Sequence, residues 1–212
     1  LPPAGWFILS YGIGLTRSWT TTSATALGWV YAGGKAAIIN KEDVPSGIAQ
    51  DWMVTPQVTV PANGQLRFFA RSIANGEQGS VYKVKISTTS QTDQASFVDI
   101  VTPPYTELDI INAPFEQKII PLTAYVGQNV YIAFVMENDN GDAWIIDNVN
   151  VDEQCFPPTA INSVALSTTA NLSWTYTGST NQFEIEYGPA GFVQGTGTIV
   201  SPVTNPYTLT GL

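Results

Sequence analysis

The chain has 212 residues, of which 44% are hydrophobic and 12% are charged, and its formal net charge is −9. This length and hydrophobic content fit one large or two small packed domains and argue against a disordered chain. An acidic surface repels phosphate backbones and anionic lipids, so we expect no nucleic acid and no membrane surface among its partners. No apolar run approaches the length of a membrane span, so we also expect no membrane insertion.

The composition indicates the compartment. Few charged residues, with abundant Thr, Ser, Asn, Gly and Pro, are typical of secreted β-rich proteins. Cys155 is the one cysteine, so no intrachain disulfide can form within this sequence. The first residues, LPPAGWF, lack the basic and apolar regions of a signal peptide. We therefore expect a secretion signal to lie upstream of Leu1.

Residues 1–29 carry turn and strand signals without a helical period. The Ser- and Thr-rich stretch 19–26 fits either an exposed strand or a loop. Within residues 28–40, a Gly-Gly pair is predicted to end one strand and start another. Pro56 interrupts the strand pattern of residues 51–60, which places it at a sheet edge or a bulge.

The clearest strand patterns lie in the middle of the chain. In residues 65–72 and 81–88, apolar residues alternate with polar ones, which predicts two strands with one wet face each. The glycine-containing linker 74–79 predicts a hairpin between them. Two more strands are predicted at 117–122 and 129–137. Because no convincing helical period occurs, the pattern indicates an antiparallel β-sandwich of jelly-roll type.

Residues 129–151 read as two strands joined by an acidic loop. Strict alternation along the second strand places Asp147 on the same face as the apolar Ile145 and Val149. A carboxylate taken out of water without a partner costs several kcal/mol. Such a position is therefore usually neutralised by a cation, a charged neighbour or several backbone donors.

The acidic loop suggests a metal ion as that partner. Oxygen ligands in a chain without His favour a hard cation, and calcium is the natural candidate. We therefore predict a structural Ca²⁺ site formed by Glu137, Asp139, Asp142 and Asp147. The alternative is that Asp147 accepts hydrogen bonds from backbone amides at a strand bend, while the loop is only solvated.

A change in composition marks a domain boundary. The Pro-Pro pair within CFPPT, residues 155–159, predicts a stiff linker, so we place one domain at 1–153 and another at 154–212. Beyond the linker, LSWTY, FEIEY and YTLTGL read as the early strands of a small sandwich.

Several short motifs of the first domain resemble a known family. The segments LPPAGW, DWMVTPQV, KVKIST, GQNVYIAF and WIIDNVNV, in this order, resemble the cleaved-adhesin and choice-of-anchor J modules. These modules are MAM-like jelly rolls of secreted Bacteroidota surface proteins, where they occur in adhesins, haemagglutinin regions and the tails of secreted proteases and glycanases. The resemblance implies type IX secretion. It also implies that Asp147 shares calcium with an acidic residue that would lie upstream of Leu1.

The second domain resembles a fibronectin type III domain. Trp174, in LSWTY, matches the core tryptophan of that family. The last two strands of the family pattern do not appear before Leu212, and neither does the cysteine that would pair with Cys155. The resemblance therefore implies the N-terminal part of a fibronectin type III domain, joined to other domains of a longer polypeptide.

The aromatic residues suggest a carbohydrate-binding hypothesis. Six tryptophans are present, and sugar rings stack on flat aromatic surfaces. Trp6, Trp52 and Trp174 fall at positions that the resembled families bury. Trp144 shares a predicted face with Asn148, so it is our candidate for ligand binding, with a place in the core as the alternative.

The sequence offers little for catalysis. Without His there is no Ser-His or Cys-His pair, and no GxSxG, phosphate-binding or dinucleotide motif occurs. A glycosidase needs only two carboxylates across a cleft, which leaves Glu107, Asp109, Glu137 and Asp142 open. Because acidic loop residues are far more often solvated, we expect no enzymatic activity.

The sequence thus predicts an all-β chain whose function is binding. We expect a non-catalytic extracellular or cell-surface adhesion region that contacts a host or neighbouring-cell surface protein or glycan. The alternative is an accessory module, binding carbohydrate or substrate, of a secreted protease or glycoside hydrolase. A third reading is a spacer that only projects another domain from the cell.

Overall fold

The structure is a computed structural model that describes residues 3–14 and 17–212. It divides into two compact units, Leu1–Glu153 and Gln154–Leu212. The strand pairs in the described residues run antiparallel, and short 3₁₀ turns are the only helices among them. The predicted all-β class is therefore confirmed. None of the helices in these residues has the length and apolar character needed to cross a membrane.

Two sheets form the first unit. Sheet I contains β1 (Phe7–Gly12), β4 (Ala49–Val54), β5 (Val58–Thr59), β7 (Val81–Ser87), β8 (Val98–Asp99) and β10 (Asn129–Asn138). Its strand order is β1-β4-β10-β7-β8, and β5 pairs with β10. Sheet II contains β2 (Thr20–Thr22), β3 (Ala36–Ile39), β6 (Gly64–Arg71), β9 (Glu116–Pro121) and β11 (Trp144–Glu153). Its strand order is β2-β3-β11-β6-β9.

The main core consists of apolar side chains contributed by both sheets. Alternation in β6 and β7 buries one face of each strand, as the sequence predicts. From sheet I the buried core contains Met53, Tyr82, Val84, Ile86, Val130, Ile132, Phe134 and Met136, and from sheet II it contains Ile39, Leu66, Phe68, Ala70, Ile120, Trp144 and Ile146.

Two predicted connections differ in the structure. The hairpin predicted around residues 74–79 is wrong, because β6 lies in sheet II and β7 in sheet I. Their apolar faces are both buried in the core between the two sheets, so the loop crosses from one sheet to the other. The strand predicted before the Gly-Gly pair is also wrong, since residues 28–35 form turns and loop ahead of β3.

The second unit has two small sheets. β12 (Thr159–Ala165), β13 (Thr169–Thr175) and β16 (Tyr207–Thr210) form one, and β14 (Phe183–Tyr187) and β15 (Thr198–Val203) form the other. The half-buried Trp174 contacts Phe183 edge to face, with ring centroids 5.0 Å apart. The fibronectin type III assignment of this unit stays a prediction.

Candidate functional site

A β-bulge in β11 changes the predicted position of Asp147. Opposite β6, the register shifts between Asp147 and Asn150, so Asn148 and Val149 of β11 lie opposite the single residue Phe68 of β6. Asn148 at the bulge has φ 49°, in the left-handed region. Val149 therefore packs against the same core as Ile146. The prediction that Asp147 shares a face with Val149 is wrong, because strict alternation ignores the extra residue.

The carboxylate of Asp147 accepts hydrogen bonds from three backbone amides. Oδ2 accepts from Tyr31 N at 2.9 Å and Ala32 N at 3.1 Å. Oδ1 accepts from Asn148 N at 2.7 Å. These contacts match the amide-binding alternative for this residue. They also connect two parts of the chain that are more than 110 residues apart.

Two other predicted calcium ligands have partners of their own. Glu137 forms an ion pair with Lys83 at 2.7 Å and accepts a hydrogen bond from Gln50 Nε2 at 2.6 Å. Asp139 Oδ1 accepts a longer hydrogen bond, 3.3 Å, from Val44 N. Glu137 therefore binds side chains of the two neighbouring strands of sheet I, whereas Asp139 binds the loop that contains Val44.

The fourth predicted ligand, Asp142, is buried and serves as a loop anchor. Its Oδ2 accepts hydrogen bonds from Ile73 N at 3.0 Å and Ala74 N at 2.8 Å. Across residues 3–14 and 17–212, no group of three or more acidic or cysteine side chains could hold a metal ion. The predicted set of four ligands is therefore not brought together, and these residues do not fit one calcium site. Calcium binding itself stays a prediction.

Trp144 lies in the core, so its prediction as a ligand platform is wrong. The side chain is 0% exposed. Its ring packs against Trp19, Tyr82 and Phe134, with centroid distances of 5.6, 5.0 and 5.9 Å. The bulge begins after Asp147, so Trp144 and Ile146 keep the same face of β11. That face points into the core.

The carboxylates considered for glycoside hydrolysis are also occupied by structural contacts. Glu107 is buried and accepts hydrogen bonds from the backbone amides of residues 78–80, the shortest from Ser80 N at 2.7 Å. Asp109 accepts one from Thr106 N at 3.0 Å. Together with the contacts of Glu137 and Asp142, these bonds assign all four carboxylates to loop and sheet structure.

Three aromatic rings lie together on the outer face of sheet II. The Tyr31 ring stacks on Phe69 with a centroid distance of 3.6 Å and an interplanar angle of 13°. Phe115 contacts Tyr31 edge to face at 5.9 Å. Tyr31 is 47% exposed, whereas both phenylalanines are half-buried. We call Tyr31, Phe69 and Phe115 the aromatic ledge.

The loop that carries Tyr31 is fixed at two points. Asp147 holds the backbone amide of Tyr31 itself. Arg71 Nη1 donates to the carbonyl oxygen of Gly28 at 2.7 Å, and its guanidinium lies 5.8 Å from the centre of the Phe115 ring. Burial lowers the pKa of Arg71, while the nearby charge of Asp142 opposes that shift. The ledge is therefore supported by neighbouring strands of sheet II.

Comparisons with solved structures place this fold beside known adhesin domains. The K1 cleaved adhesin domain of Lys-gingipain from Porphyromonas gingivalis has a TM-score of 0.54 and 19% sequence identity, covering 73% of this chain and 94% of that domain. The K2 cleaved adhesin domain of the same protein has a TM-score of 0.52 and 17% identity, covering 72% and 90%. The chain contains a module with a cleaved-adhesin-like fold.

A sequence relative supports the same module. Hemagglutinin A of P. gingivalis is 29% identical over 128 residues, which cover 51% of this chain. The match spans only 5% of the length of Hemagglutinin A, so the similar segment is a small part of that much longer relative. No model of a known protein family matches the chain.

One feature of the sequence indicates the aromatic ledge, although the predicted sites do not include it. Phe69 stands between Arg67 and Arg71 on the predicted wet face of β6, where a large aromatic residue is out of place. Tyr31 offered no comparable signal, because its position over Phe69 depends on the distant carboxylate of Asp147.

Proposed function

We propose that the cleaved-adhesin-like module is a non-catalytic binding or adhesion region that acts outside the cell or at its surface. Its partner is a host or neighbouring-cell surface protein or glycan. The similarity to adhesin domains supports this role. The observation that carries it is the aromatic ledge, where Tyr31 is 47% exposed although its loop is anchored. Rigid aromatic side chains of this kind supply much of the energy of binding interfaces.

The second candidate is an accessory module within a longer secreted protein. Its support is that the similar segment of Hemagglutinin A is a small fraction of a longer polypeptide, so such modules occur joined to other domains. In that role the module binds carbohydrate or another substrate, and a separate domain performs the chemistry. The same ledge serves both candidates, so they differ in the attached domains and not in the binding step.

A cell-adhesion assay tests the proposed function. Residues 1–212 are immobilised on beads, and the retention of epithelial cells and of other bacterial cells is compared with that on beads carrying heat-unfolded chain. We expect saturable retention by the folded chain, which soluble chain competes away. Retention equal to that of the unfolded control on every cell type would reject adhesion and leave the accessory-module and spacer roles.

A further inference from the structure

We propose that the aromatic ledge is a binding site for an uncharged saccharide. This inference rests on the proposed binding function and specifies where the ligand binds and to which chemical class it belongs. Three features of the ledge carry it: the orientation of the rings, the pairing of the neighbouring charges and the small size of the exposed surface.

The ring orientation suits a sugar. Tyr31 lies flat on Phe69, with 13° between the ring planes, so one face of the tyrosine is covered and the side chain remains 47% exposed. The C–H groups on one face of a pyranose carry partial positive charge, which complements the negative face of an aromatic ring. The phenolic hydroxyl adds a donor and acceptor at the edge for a sugar hydroxyl.

The charges that touch the ledge are already paired. Both oxygens of Asp147 accept backbone hydrogen bonds. Arg71 donates to the carbonyl oxygens of Ser72 and Gly28 and to Asn112 Oδ1, at 3.0, 2.7 and 2.8 Å. An anionic ligand would be repelled by the Asp147 carboxylate beside the ledge and by a chain of net charge −9. An uncharged ligand avoids this repulsion.

The size of the ledge favours a small ligand over a protein surface. A standard protein interface buries roughly 800 Å² on each partner. A fully buried aromatic side chain accounts for about 150–250 Å², and two of the three rings here are already half-buried. The exposed rings therefore match one or two sugar units of a glycan better than a folded protein.

An array and a titration test the proposal on the whole 212-residue chain. The array carries uncharged oligosaccharides of glucose, galactose and mannose beside their sulfated counterparts. The uncharged glycan with the strongest signal is then titrated calorimetrically into the wild-type chain and into three variants. Tyr31→Ala removes the exposed ring and Tyr31→Phe keeps it. Tyr11→Ala, a 37% exposed tyrosine on β1 of sheet I, is the matched control.

We expect binding to uncharged glycans, weakened at least about tenfold by Tyr31→Ala, weakened less than that by Tyr31→Phe, which loses only the phenolic hydrogen bond, and changed less than about threefold by Tyr11→Ala. Melting temperatures separate lost binding from lost folding. Equal affinity of Tyr31→Ala and wild type would overturn the ledge as the site. Binding only to sulfated glycans, or retention of cells without any glycan binding, would overturn the uncharged saccharide while the adhesion function stands. Silence in both the array and the cell assay would reject the adhesion function as well.

Discussion

At the scale of single residues, the acidic side chains act mainly as acceptors for backbone amides. Asp147, Asp142 and Glu107 each accept two or more such hydrogen bonds, and each thereby fixes a loop. A carboxylate bound in this way needs no metal ion for its neutralisation. Asp147, the main calcium-ligand candidate in the sequence, positions Tyr31 by accepting a hydrogen bond from its backbone amide.

Replacing Asp147 should loosen the Tyr31 loop. Asp147→Asn loses the negative charge and one acceptor oxygen, so we expect the free energy of unfolding to fall by about 1–2 kcal/mol. Guanidinium chloride unfolding measures the change. Asp139→Asn is the control. Asp139 accepts a long hydrogen bond, 3.3 Å, from Val44 N, so its substitution should lower the free energy of unfolding by less. An Asp147→Asn effect that appears only in calcium and vanishes in chelator would instead assign this carboxylate to a metal site.

Asp51 gives the chain a pH-dependent stability. It is 1% exposed, and burial raises its pKa to about 6, while a hydrogen bond from Ser10 opposes the shift and the charge of Glu42 adds to it. The folded pKa thus lies above the unfolded value near 3.8. Between about pH 4 and 6 the folded state binds more protons than the unfolded state, so stability from this group falls as pH rises.

The contribution of Asp51 can be isolated by substitution. From about 1.4 kcal/mol per pKa unit, the loss between pH 4 and pH 7 is on the order of 2–3 kcal/mol. We expect Asp51→Asn to remove this part of the pH dependence and to raise stability at neutral pH relative to wild type. Unfolding free energies measured at pH 4, 5, 6 and 7 check both points. Parallel pH curves for the two proteins would show that Asp51 does not titrate in this range.

At the scale of strands, local pattern and tertiary pairing carry different information. The positions of β6 and β7 follow from alternation, because a strand with one buried face shows that face in its sequence. Alternation does not predict the sheet to which a strand belongs, because it carries no information about the neighbouring strand. The candidate site depends on such pairings and on the bulge in β11, which is why Trp144 was misplaced and Tyr31 missed.

The bulge depends on a left-handed residue. Asn148 has φ 49°, which Asn tolerates better than other non-glycine residues and which a β-branched residue strongly resists. We expect Asn148→Val to lower the melting temperature by several degrees, corresponding to about 1–3 kcal/mol. Asn148→Gly should stay close to wild type or exceed it. If the Asn148→Val and Asn148→Gly variants had the same melting temperature, the left-handed conformation would not be needed for the bulge.

At the scale of the whole molecule, one compact unit carries both the cleaved-adhesin-like fold and the aromatic ledge. Residues 154–212 form a second compact unit, and its apolar cleft is lined by residues that include Trp174, Phe183 and Leu209. The central claim of this account is that adhesion passes through Tyr31.

The most direct test is the saturable binding of fluorescently labelled chain to whole cells, measured for wild type, Tyr31→Ala and Tyr11→Ala at equal concentrations. The account predicts that Tyr11→Ala binds like wild type and that Tyr31→Ala loses at least about nine-tenths of the bound signal below saturation, with a melting temperature lowered by no more than a few degrees through the lost ring contacts. Equal binding by all three proteins would contradict it, because adhesion would then use another surface of the module.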